Sequence, residues 1–464
     1  MSGENIMYGN ISKNENIKIS ILIYVLNGNP YIEKCVRSAM EQTLHEIEIL
    51  IVDGGSTDGT LEIVELLAVE DSRIRIFHSL PGVGLQFNTG LREAEGKYIV
   101  ICESDDYILP GMCKYQYEIA EKFELDILRA DAKHFFEMEG GKELFFSVKL
   151  SKQKEFYNKV INTSQDMRIL KLGINSFWSG LYRRNFLLEH EIFMNETQGA
   201  SYQDTTFSFL SLRKARRVML SKEAFYCYRL DNPDSSVNNP QKITVLIEEY
   251  QLLKERLLEQ GLYEGCKEIY LSWKINGYLG FYDSLSYELR KEFIVLMYKN
   301  LYEELTTERF SCKELSIKCE KIVNLIMDSF VVLREYMFRY YKILDDTKQN
   351  LKRIELDKKI VIFGNGELGY LVYLYLLYTD RHIAAFADNN EKLWGVKKGD
   401  IPVLKPEEAV KSYPEAVYII ANEKYSEMMK IQLQNLKIKD GNMIECNDYG
   451  YFRKHILQSE LRVR

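Results

Sequence analysis

The sequence lacks the patterns that mark several common classes of protein. Its eight cysteines form no Cys-x-x-Cys pair and its six histidines no His-Glu-x-x-His motif, which argues against the usual zinc sites. It has no excess of positive charge, since 61 basic residues face 68 acidic ones, and we therefore expect no nucleic-acid partner. No apolar run approaches the ~20 residues that cross a bilayer, and the polar first 16 residues contain no signal-peptide core. A cytoplasmic protein is predicted, with peripheral attachment to the inner face of the cell membrane left open.

The composition is that of an ordinary folded protein, with 46% apolar and 28% charged residues in a chain of 464. At ~150 residues per domain, this length predicts about three domains. The runs 19–26, 47–52, 74–77 and 98–101 are apolar and β-branched. In the segments between the first three runs, apolar residues recur at helical spacing. Such repeated strand, helix and strand units predict an α/β fold with a mainly parallel sheet, whose ligands bind at the carboxyl ends of the strands.

The pattern changes twice further along the chain. From 240 to 356, stretches such as 243–260 and 322–344 have helical spacing, and strand signals disappear. At residue 358 the alternation of strand and helix restarts. The predicted organisation is an N-terminal tail (1–17), an α/β domain (18–240), a helical segment (241–356), a smaller α/β domain (357–450) and a C-terminal tail (451–464).

Two adjacent carboxylates follow the strand predicted at 98–101, in the sequence Glu103-Ser104-Asp105-Asp106. Oxygen ligands at a strand end suit a hard divalent cation such as Mg²⁺ or Mn²⁺. A solvated acidic turn is the alternative. These residues taken alone do not decide between the two interpretations.

The stretch 49–60, ILIVDGGSTDGT, resembles the nucleotide-binding turn of the inverting family-two glycosyltransferases, which have the GT-A fold. Residues 17–31 are similar to the family's first strand and its asparagine-containing loop, and Ser104-Asp105-Asp106 to its metal-binding aspartates. The resemblance covers residues 18 to about 240. It implies a metal-dependent enzyme of the hexosyltransferase class, which moves a sugar from a nucleoside diphosphate to a hydroxyl with inversion, using Mn²⁺ or Mg²⁺.

The resemblance also implies which residues form the donor site. They are Tyr24, Val25 and Asn27 at the end of the first strand, Asp53 at the next strand end, Asp105 near the ribose or the metal, and Asp106 as the metal ligand. Sheet packing and turn formation are the alternative for the first four. Many members of the family have a second aspartate where this chain has Gly54, so the resemblance does not fix the base of the nucleotide.

An inverting transfer needs a base that takes the proton of the acceptor hydroxyl. In the segment 199–207, Asp204 aligns with the aspartate of the family's Glu-Asp pair, which implies that Asp204 is this base. A helix-capping role is the alternative. Weaker candidates for contact with the acceptor or with phosphate are Trp178, which could equally be core, Arg183 and Arg229.

Gly364, Gly366 and Gly369 form a Gly-x-Gly-x-x-Gly sequence between a predicted strand and helix, and Asp388 follows about 20 residues later at the next strand end. The glycines allow a tight turn, after which helix N–H groups can meet a diphosphate. The region resembles the small Rossmann-like modules attached to sugar-modifying acyltransferases and sugar methyltransferases. It implies a nucleotide or nucleotide-sugar site, with a docking or purely structural module as alternatives, and NAD is not expected as a cofactor.

The combined prediction is a glycosyltransferase of cell-surface polysaccharide biosynthesis. Its partners would be a nucleotide-sugar donor and a glycan or lipid-linked glycan acceptor, and homo-oligomerisation stays open. Two alternatives remain: an NAD-dependent oxidoreductase that uses residues 357–450, and a non-catalytic nucleotide-sugar binding protein.

Overall fold

The computed structural model describes residues 16–137, 141–173, 176–199, 201–232, 243–448, 451–452 and 456. These residues divide into two compact units. The first unit contains the described residues up to Tyr278 together with Phe310–Ser316, and the second contains Leu279–Arg309 and those from Ile317 onward. The unit boundaries therefore fall inside the predicted helical stretch 241–356. Most of the two predicted tails, 1–17 and 451–464, lies outside the described residues.

The described part of the first unit contains a nine-stranded sheet. Its strands are β1 (Ile19–Val25), β2 (Ile47–Asp53), β3 (Ile74–His78), β4 (Tyr98–Ile101), β5 (Tyr107–Ile108), β6 (Ile127–Glu137), β7 (Glu143–Val148), β8 (Gly180–Arg183) and β9 (Val218–Arg229). Neighbouring strands follow the order β3-β2-β1-β4-β8-β6-β9-β5, and β7 pairs with β6. The strands predicted at 19–26, 47–52, 74–77 and 98–101 are confirmed as β1 to β4, with ends that differ by at most one residue.

The sheet is parallel only from β1 to β4. Every residue of β1 and β2 is buried, as expected for strands covered on both faces. Beyond β4, the pairs β4–β8, β6–β8, β5–β9 and β6–β7 are antiparallel, while β6–β9 is parallel. The prediction of a mainly parallel sheet is therefore correct for the first half of this unit and wrong for the second. That second half is built by hairpins and long connections, which the regular pattern of residues 18–110 does not contain.

Most helices of the first unit lie between these strands along the chain, and the last two follow β9. The helices are α1 (Ile32–Met40), α2 (Thr60–Glu70), α3 (Val83–Glu93), α4 (Met112–Lys122), α5 (Arg168–Lys171), α6 (Arg184–Glu189), α7 (Asp204–Lys214), α8 (Val245–Glu259) and α9 (Lys267–Ser284), whose last residues belong to the second unit. In the loop before α2, Asp58 accepts a hydrogen bond from the Thr60 N–H (3.1 Å), and Gly59 has a φ of 92° that favours glycine.

The second unit begins with three helices, α10 (Tyr287–Thr307), α11 (Ile317–Asp328) and α12 (Phe330–Lys352). The single helix predicted at 322–344 is two helices, because the Ser329 hydroxyl accepts a hydrogen bond from the Val332 N–H (3.2 Å) and caps a new helix there. Within the described ranges, no helix has the length and apolar character needed to cross a bilayer.

A six-stranded sheet follows in the described part of the second unit. Its elements are β10 (Ile360–Phe363), α13 (Glu367–Tyr378), β11 (Ile383–Ala387), β12 (Lys397–Lys398), β13 (Ile401–Leu404), α14 (Pro406–Ser412), β14 (Val417–Ala421), α15 (Ser426–Asn435) and β15 (Met443–Cys446). The order is β12-β13-β11-β10-β14-β15, parallel except for β12. The chain reverses its direction of travel across the sheet between β10 and β14, which is where sheets of this type bind ligands.

Candidate active site

The residues predicted for the donor site lie at one edge of the sheet in the first unit. Val25 is opposite Asp53 in the parallel pair β1–β2, and Leu22 is opposite Ile101 in the parallel pair β1–β4. The carboxyl ends of β1, β2 and β4 therefore meet at the same edge, and the loops that follow them start side by side. One of these loops, residues 103–106, is called the acidic loop below.

Asp53 and Asn27 shape the loops after β2 and β1. The Asp53 carboxylate is 2% exposed and accepts hydrogen bonds from the N–H groups of Gly55 (2.8 Å) and Ser56 (3.1 Å). Asn27, with a φ of 55°, accepts a bond from the Thr57 N–H (2.8 Å), and its own N–H donates to Ser56 Oγ (2.8 Å). These bonds tie the two loops together. The predicted contacts of Asp53 and Asn27 with a nucleotide stay predictions.

The side chain of Gln86, on α3, links the ends of β1 and β2 by hydrogen bonds. Its Nε2 donates to the carbonyls of Val25 (2.6 Å) and Val52 (3.0 Å). A Cβ atom at Gly54 would lie 3.0 Å from this nitrogen, so an aspartate there would require Gln86 to move. Gln86 therefore occupies the space that a side chain at position 54 would need, which fits the glycine found there in place of the family's aspartate.

Asp106 is enclosed by β9. Its side chain is 2% exposed, Oδ2 accepts a hydrogen bond from the Tyr226 hydroxyl (2.7 Å), and Oδ1 accepts one from the Arg229 N–H (2.6 Å). Burial, followed by the nearby carboxylates of Asp105 and Glu103, raises the pKa of Asp106 well above its usual value. Asp106 thus fixes the acidic loop to β9, and its surroundings disfavour its ionised form.

Asp105 is more open than Asp106, and Arg229 supports it. Oδ2 of Asp105 accepts a hydrogen bond from Asn232 Nδ2 (2.7 Å), and burial raises the pKa of Asp105. The Arg229 side chain, 6% exposed, donates from Nε to the Asp105 carbonyl (3.0 Å) and from Nη1 to Asp231 (3.2 Å). Its guanidinium also lies 4.6 Å from the centre of the Tyr31 ring. Arg229 is therefore at the predicted site, but its side chain supports the acidic loop from inside the protein.

Glu103 connects the acidic loop to β1. The Tyr24 hydroxyl donates to Glu103 Oε1 (3.0 Å), and the Glu103 N–H donates to the Tyr226 hydroxyl (3.0 Å). Burial, and then the carboxylates of Asp105 and Asp204, raise the pKa of Glu103 to about 8, against a lowering effect of the Tyr24 bond. Glu103 belongs to the motif at 103–106, but no role is predicted for it from the sequence.

Asp204 is the first residue of α7 and lies close enough to interact electrostatically with Glu103 and Tyr24. Burial raises the pKa of Asp204 to about 7, with a further contribution from Glu249, while its own N–H and Arg129 oppose the shift. The N-cap of α7 is Gln203, so the alternative role of Asp204 as the N-cap does not apply. The fold brings Asp204 and the acidic loop together from distant parts of the chain.

Trp178 lies near the acidic loop but is packed in the core, and Arg183 lies away from the loop. The Trp178 side chain is 8% exposed and packs on the rings of Tyr226 (4.5 Å between centres) and Tyr228 (5.0 Å), which favours the core-packing alternative. Arg183 is paired with Tyr98 at the first residue of β4, whereas the acidic loop follows the last residue, and its side chain forms an ion pair with Asp126. The structure therefore does not bring Arg183 to the predicted site.

The acidic loop has a donor set that fits a hard divalent cation. Mg²⁺ is usually held by one or two carboxylates together with phosphate oxygens of the substrate, and Asp105 and Asp106 supply two neighbouring carboxylates with raised pKa values. Among the described residues, no group of three or more His, Cys, Asp or Glu side chains has the geometry of a complete metal site. The fit is thus to a cation shared between the protein and a ligand.

The glycine residues of the second unit also lie at a strand end. Gly364 and Asp388 line a cavity of about 460 Å³, together with polar and apolar side chains including Asn389, Asn422 and Tyr425. Asp388 accepts hydrogen bonds from the N–H groups of Asn365 (2.7 Å) and Asn390 (2.8 Å), so its carboxylate shapes the turn.

The other two glycines of this motif have different surroundings. A Cβ at Gly369 would lie 1.9 Å from the Gly364 carbonyl oxygen, which explains the glycine there, whereas Gly366 has open space around it. Gly366 is the N-cap of α13.

Three residues of the first unit lie around the site but were not predicted from the sequence. Tyr226 joins Asp106 to Glu103, Gln86 joins two strand ends, and Arg129 opposes the pKa shift of Asp204. Each belongs to a buried strand or helix, where tyrosine, glutamine or arginine gives no local motif. A buried arginine inside the strand-like run 127–132 was the one signal that could have been noticed.

Comparison with known proteins agrees with this architecture. Residues 20–188 match the family model for glycosyl transferase family 2. The Staphylococcus aureus protein TarS, residues 1–349 in complex with UDP-GlcNAc, superposes with a TM-score of 0.54 at 20% sequence identity, covering 69% of this chain and 91% of that TarS chain. This likeness supports the GT-A-like fold and nothing finer.

The chain also matches most of the length of two curated relatives. The uncharacterised glycosyltransferase EpsJ of Bacillus subtilis (strain 168) is 31% identical over 260 residues, which are 54% of this chain and 72% of EpsJ. The cholesterol galactosyltransferase of Borreliella burgdorferi is 24% identical over 335 residues, which are 70% of this chain and 90% of that enzyme. The chain is a glycosyltransferase and belongs to glycosyl transferase family 2.

Proposed function

We propose that the first unit transfers a sugar from a nucleoside diphosphate to an acceptor hydroxyl with inversion, and that Asp204 is the base. The observation that carries the proposal is the convergence of Asp204 with the acidic loop at the carboxyl ends of β1, β2 and β4. A carboxylate whose pKa is about 7 can accept a proton near neutral pH, since catalytic bases work best near the operating pH.

In the proposed reaction, the acceptor oxygen attacks the anomeric carbon from the face opposite the nucleotide. The new carbon–oxygen bond forms as the bond from that carbon to the diphosphate oxygen breaks, and the hydroxyl proton passes to Asp204. The nucleoside diphosphate leaves with the bonding electrons. Tyr24, Val25, Asn27 and Asp53 would contact the nucleoside, and Asp105 would lie beside the ribose or the cation.

A divalent cation held by Asp105 and Asp106 would neutralise the charge that develops on the leaving diphosphate. This chain's own residues prepare that position. Tyr226 and the Arg229 N–H orient the Asp106 carboxylate, while Asn232 and the Arg229 side chain hold Asp105. The support for the proposal is that both carboxylates have raised pKa values, so a cation would relieve an unfavourable concentration of negative charge.

The proposed setting is the synthesis of a cell-surface polysaccharide at the inner face of the cell membrane, with a glycan or lipid-linked glycan as acceptor. Support comes from the relatives, which include a chondroitin synthase of Escherichia coli, 40% identical over 93 residues that cover 14% of that enzyme. The cholesterol galactosyltransferase shows that a relative can use a lipid acceptor, so a lipid-linked acceptor is compatible with the family.

The first experiment is a thermal-shift screen with UDP-, GDP-, CDP- and dTDP-sugars and NAD(H), each with and without Mn²⁺. A ligand that binds only the folded state raises the melting temperature. We expect one sugar nucleotide to give a shift that needs Mn²⁺ and that Asp106→Ala loses. A shift with NAD(H) alone, independent of Mn²⁺, would contradict the proposal and favour the oxidoreductase alternative.

We further propose that the second unit binds a nucleotide or nucleotide sugar in the cavity beside Gly364 and Asp388. The cavity lies between the ends of β10, β11 and β14, where a parallel sheet of this order binds ligands. Its amide side chains, with Tyr425, offer hydrogen bonds and a flat face to a base. Isothermal titration with UDP tests this site by its stoichiometry: two molecules bound per chain support a second site, whereas a single molecule whose binding Asp106→Ala weakens contradicts it.

A further inference from the structure

Arg129, near the start of β6, has a buried guanidinium with no hydrogen-bond partner among the described residues. Its side chain is 0% exposed, and Nε, Nη1 and Nη2 are all enclosed with no hydrogen-bond partner among the described residues. Removing a guanidinium from water without pairing it has a large free-energy cost, and burial accordingly lowers the pKa of Arg129. A hydrophobic residue would fill this place in a sheet at lower cost. The arginine therefore needs an explanation other than packing.

The surroundings of Arg129 accommodate the side chain and lead toward Asp204. A Cβ at Gly180, its partner on β8, would lie 3.0 Å from Arg129 Cδ, so the glycine leaves room for the arginine. The guanidinium lies 5.3 Å from the centre of the Tyr182 ring, and this ring packs edge-on against Phe207 at 5.1 Å. Phe207 is on the first turn of α7, the helix that begins with Asp204.

The electrostatic environment of Asp204 contains acids and tyrosines from several elements. The carboxylates are Glu103 of the acidic loop and Glu249 of α8. The tyrosines are Tyr24 of β1, Tyr182 of β8, Tyr202 of the loop before α7, and Tyr250 of α8. Among these groups, Arg129 is the cation, and it favours the ionised form of Asp204. The arginine thus opposes both the neighbouring carboxylates and the burial of Asp204.

We propose that Arg129 is a positioning residue whose buried positive charge favours the ionised form of Asp204, which is the form that accepts the proton of the acceptor hydroxyl. The inference rests on the proposed function, in which Asp204 is the base. Arg129 is fully buried, whereas Asp204 is partly exposed. An acceptor would therefore contact the Asp204 carboxylate and not the Arg129 guanidinium.

The test is the pH dependence of kcat/KM for Arg129→Met, which keeps the unbranched stem of the side chain and removes its charge. The reaction followed is the release of nucleoside diphosphate from the sugar nucleotide that gives the largest shift in the screen above. We expect the acidic limb of the profile to move to higher pH by on the order of one unit, since an opposite charge nearby lowers an acid's pKa by that amount or more. Arg129→Lys, which keeps the charge, should return the limb most of the way.

Arg217→Met is the matched control. This arginine is exposed, and it donates to the carbonyls of Phe123 and Glu124 at the surface, so its replacement should leave the profile in place. Removal of an unpaired buried charge is usually neutral or stabilising, so Arg129→Met is expected to fold with an unchanged or higher melting temperature. Should Met not be accepted there, Arg129→Gln provides a second uncharged side chain.

An unchanged acidic limb in a folded, uncharged Arg129 variant would overturn the inference and leave Arg129 with a packing role only. Asp204→Asn separates this failure from that of the proposed function. If the Asn variant keeps its activity, Asp204 is not the base and the proposed function fails. If it is inactive while the Arg129→Met profile is unchanged, the proposed function stands and only the role of Arg129 is withdrawn.

Discussion

Both units have glycine-containing turns at the carboxyl ends of parallel strands. The side chains at these turns differ, since they are mainly acidic in the first unit and mainly uncharged in the second. In the first unit, four carboxylates with raised pKa values meet at this edge: Glu103, Asp105, Asp106 and Asp204. In the second unit, the corresponding cavity is lined by amides, Tyr425 and methionines around Asp388. The topology thus favours the same edge of the sheet for a ligand in both units, and the side chains there distinguish the proposed group transfer from the proposed binding alone.

Aspartates at strand ends also differ in how the fold uses them. Asp53 and Asp388 each accept hydrogen bonds from two backbone N–H groups, and so they shape turns. Asp204 instead stands at the start of a helix among other acids, where burial dominates its pKa. The same residue type therefore shapes turns at two of these places and has the proposed chemical role at the third, and matched substitutions can separate the two uses.

The largest effect is expected for Asp204→Asn. It removes the proton acceptor while keeping the shape of the side chain, so we expect kcat to fall by about 10²- to 10⁴-fold with little change in binding of the donor. Single-turnover transfer measures the first quantity, and calorimetry with the nucleoside diphosphate the second. The matched control is Asp388→Asn in the second unit, which should transfer at the normal rate. Equal losses in both variants would remove the distinction between the units.

A second large effect is expected in the second unit for Gly369→Ala. The added Cβ would meet a backbone oxygen at 1.9 Å, which the turn can avoid only by moving, at about 1–3 kcal/mol or more. Fluorescence of Trp394, followed in a variant without Trp178 and Trp273, reports the unfolding of this unit. Gly441→Ala, with open space around its Cβ, is the control and should melt normally. We expect transfer by the first unit to persist in the Gly369 variant at temperatures below its melting point.

The raised pKa values predict how the stability of the first unit depends on pH. Glu103 and Asp204 keep their protons up to about pH 8 and about pH 7 in the folded protein, whereas the unfolded chain loses them near pH 4. Between these limits the folded state binds more protons, so the free energy of unfolding should fall as pH rises from about 4 to 8.

Urea unfolding of Trp394→Phe measures this trend, since the remaining tryptophans, Trp178 and Trp273, belong to the first unit. Glu103→Gln should flatten the fall, and Mn²⁺, which binds deprotonated carboxylates, should stabilise the protein more at pH 8 than at pH 5.5. A free energy of unfolding that rises over this range would contradict the environment described for these acids.

Local sequence patterns predicted the parallel half of the first sheet and the positions of its turns. Apolar β-branched runs identify β1 to β4 because both faces of each strand are covered, and the residues after them necessarily meet at one edge. The antiparallel half was not predicted, because β6 to β9 are joined by long connections whose pairing depends on the whole fold. Asp204 was found through a family resemblance, since an aspartate before a helix has no local mark of a base.

The use of individual side chains was harder to predict than their location. Arg229 and Trp178 lie near the acidic loop, but Arg229 supports the backbone of Asp105 and Trp178 packs on Tyr226. Whether a side chain faces a ligand or the protein depends on which partners the fold brings within ~3 Å of it, and the sequence does not contain that information.

The smallest effect is expected for Asn389→Ala at the rim of the second unit's cavity. Asn389 and Gln432 exchange two hydrogen bonds between their amides, at 3.0 and 3.1 Å, on the surface of the protein. Loss of this exposed pair should change the stability by no more than about 0.5 kcal/mol and leave transfer unaltered. If the cavity binds a nucleotide, however, the variant should bind UDP several-fold more weakly in the Asp106→Ala background, because a wall amide is missing. Loss of transfer in this variant would instead show that the second unit takes part in the chemistry, against the division of roles proposed here.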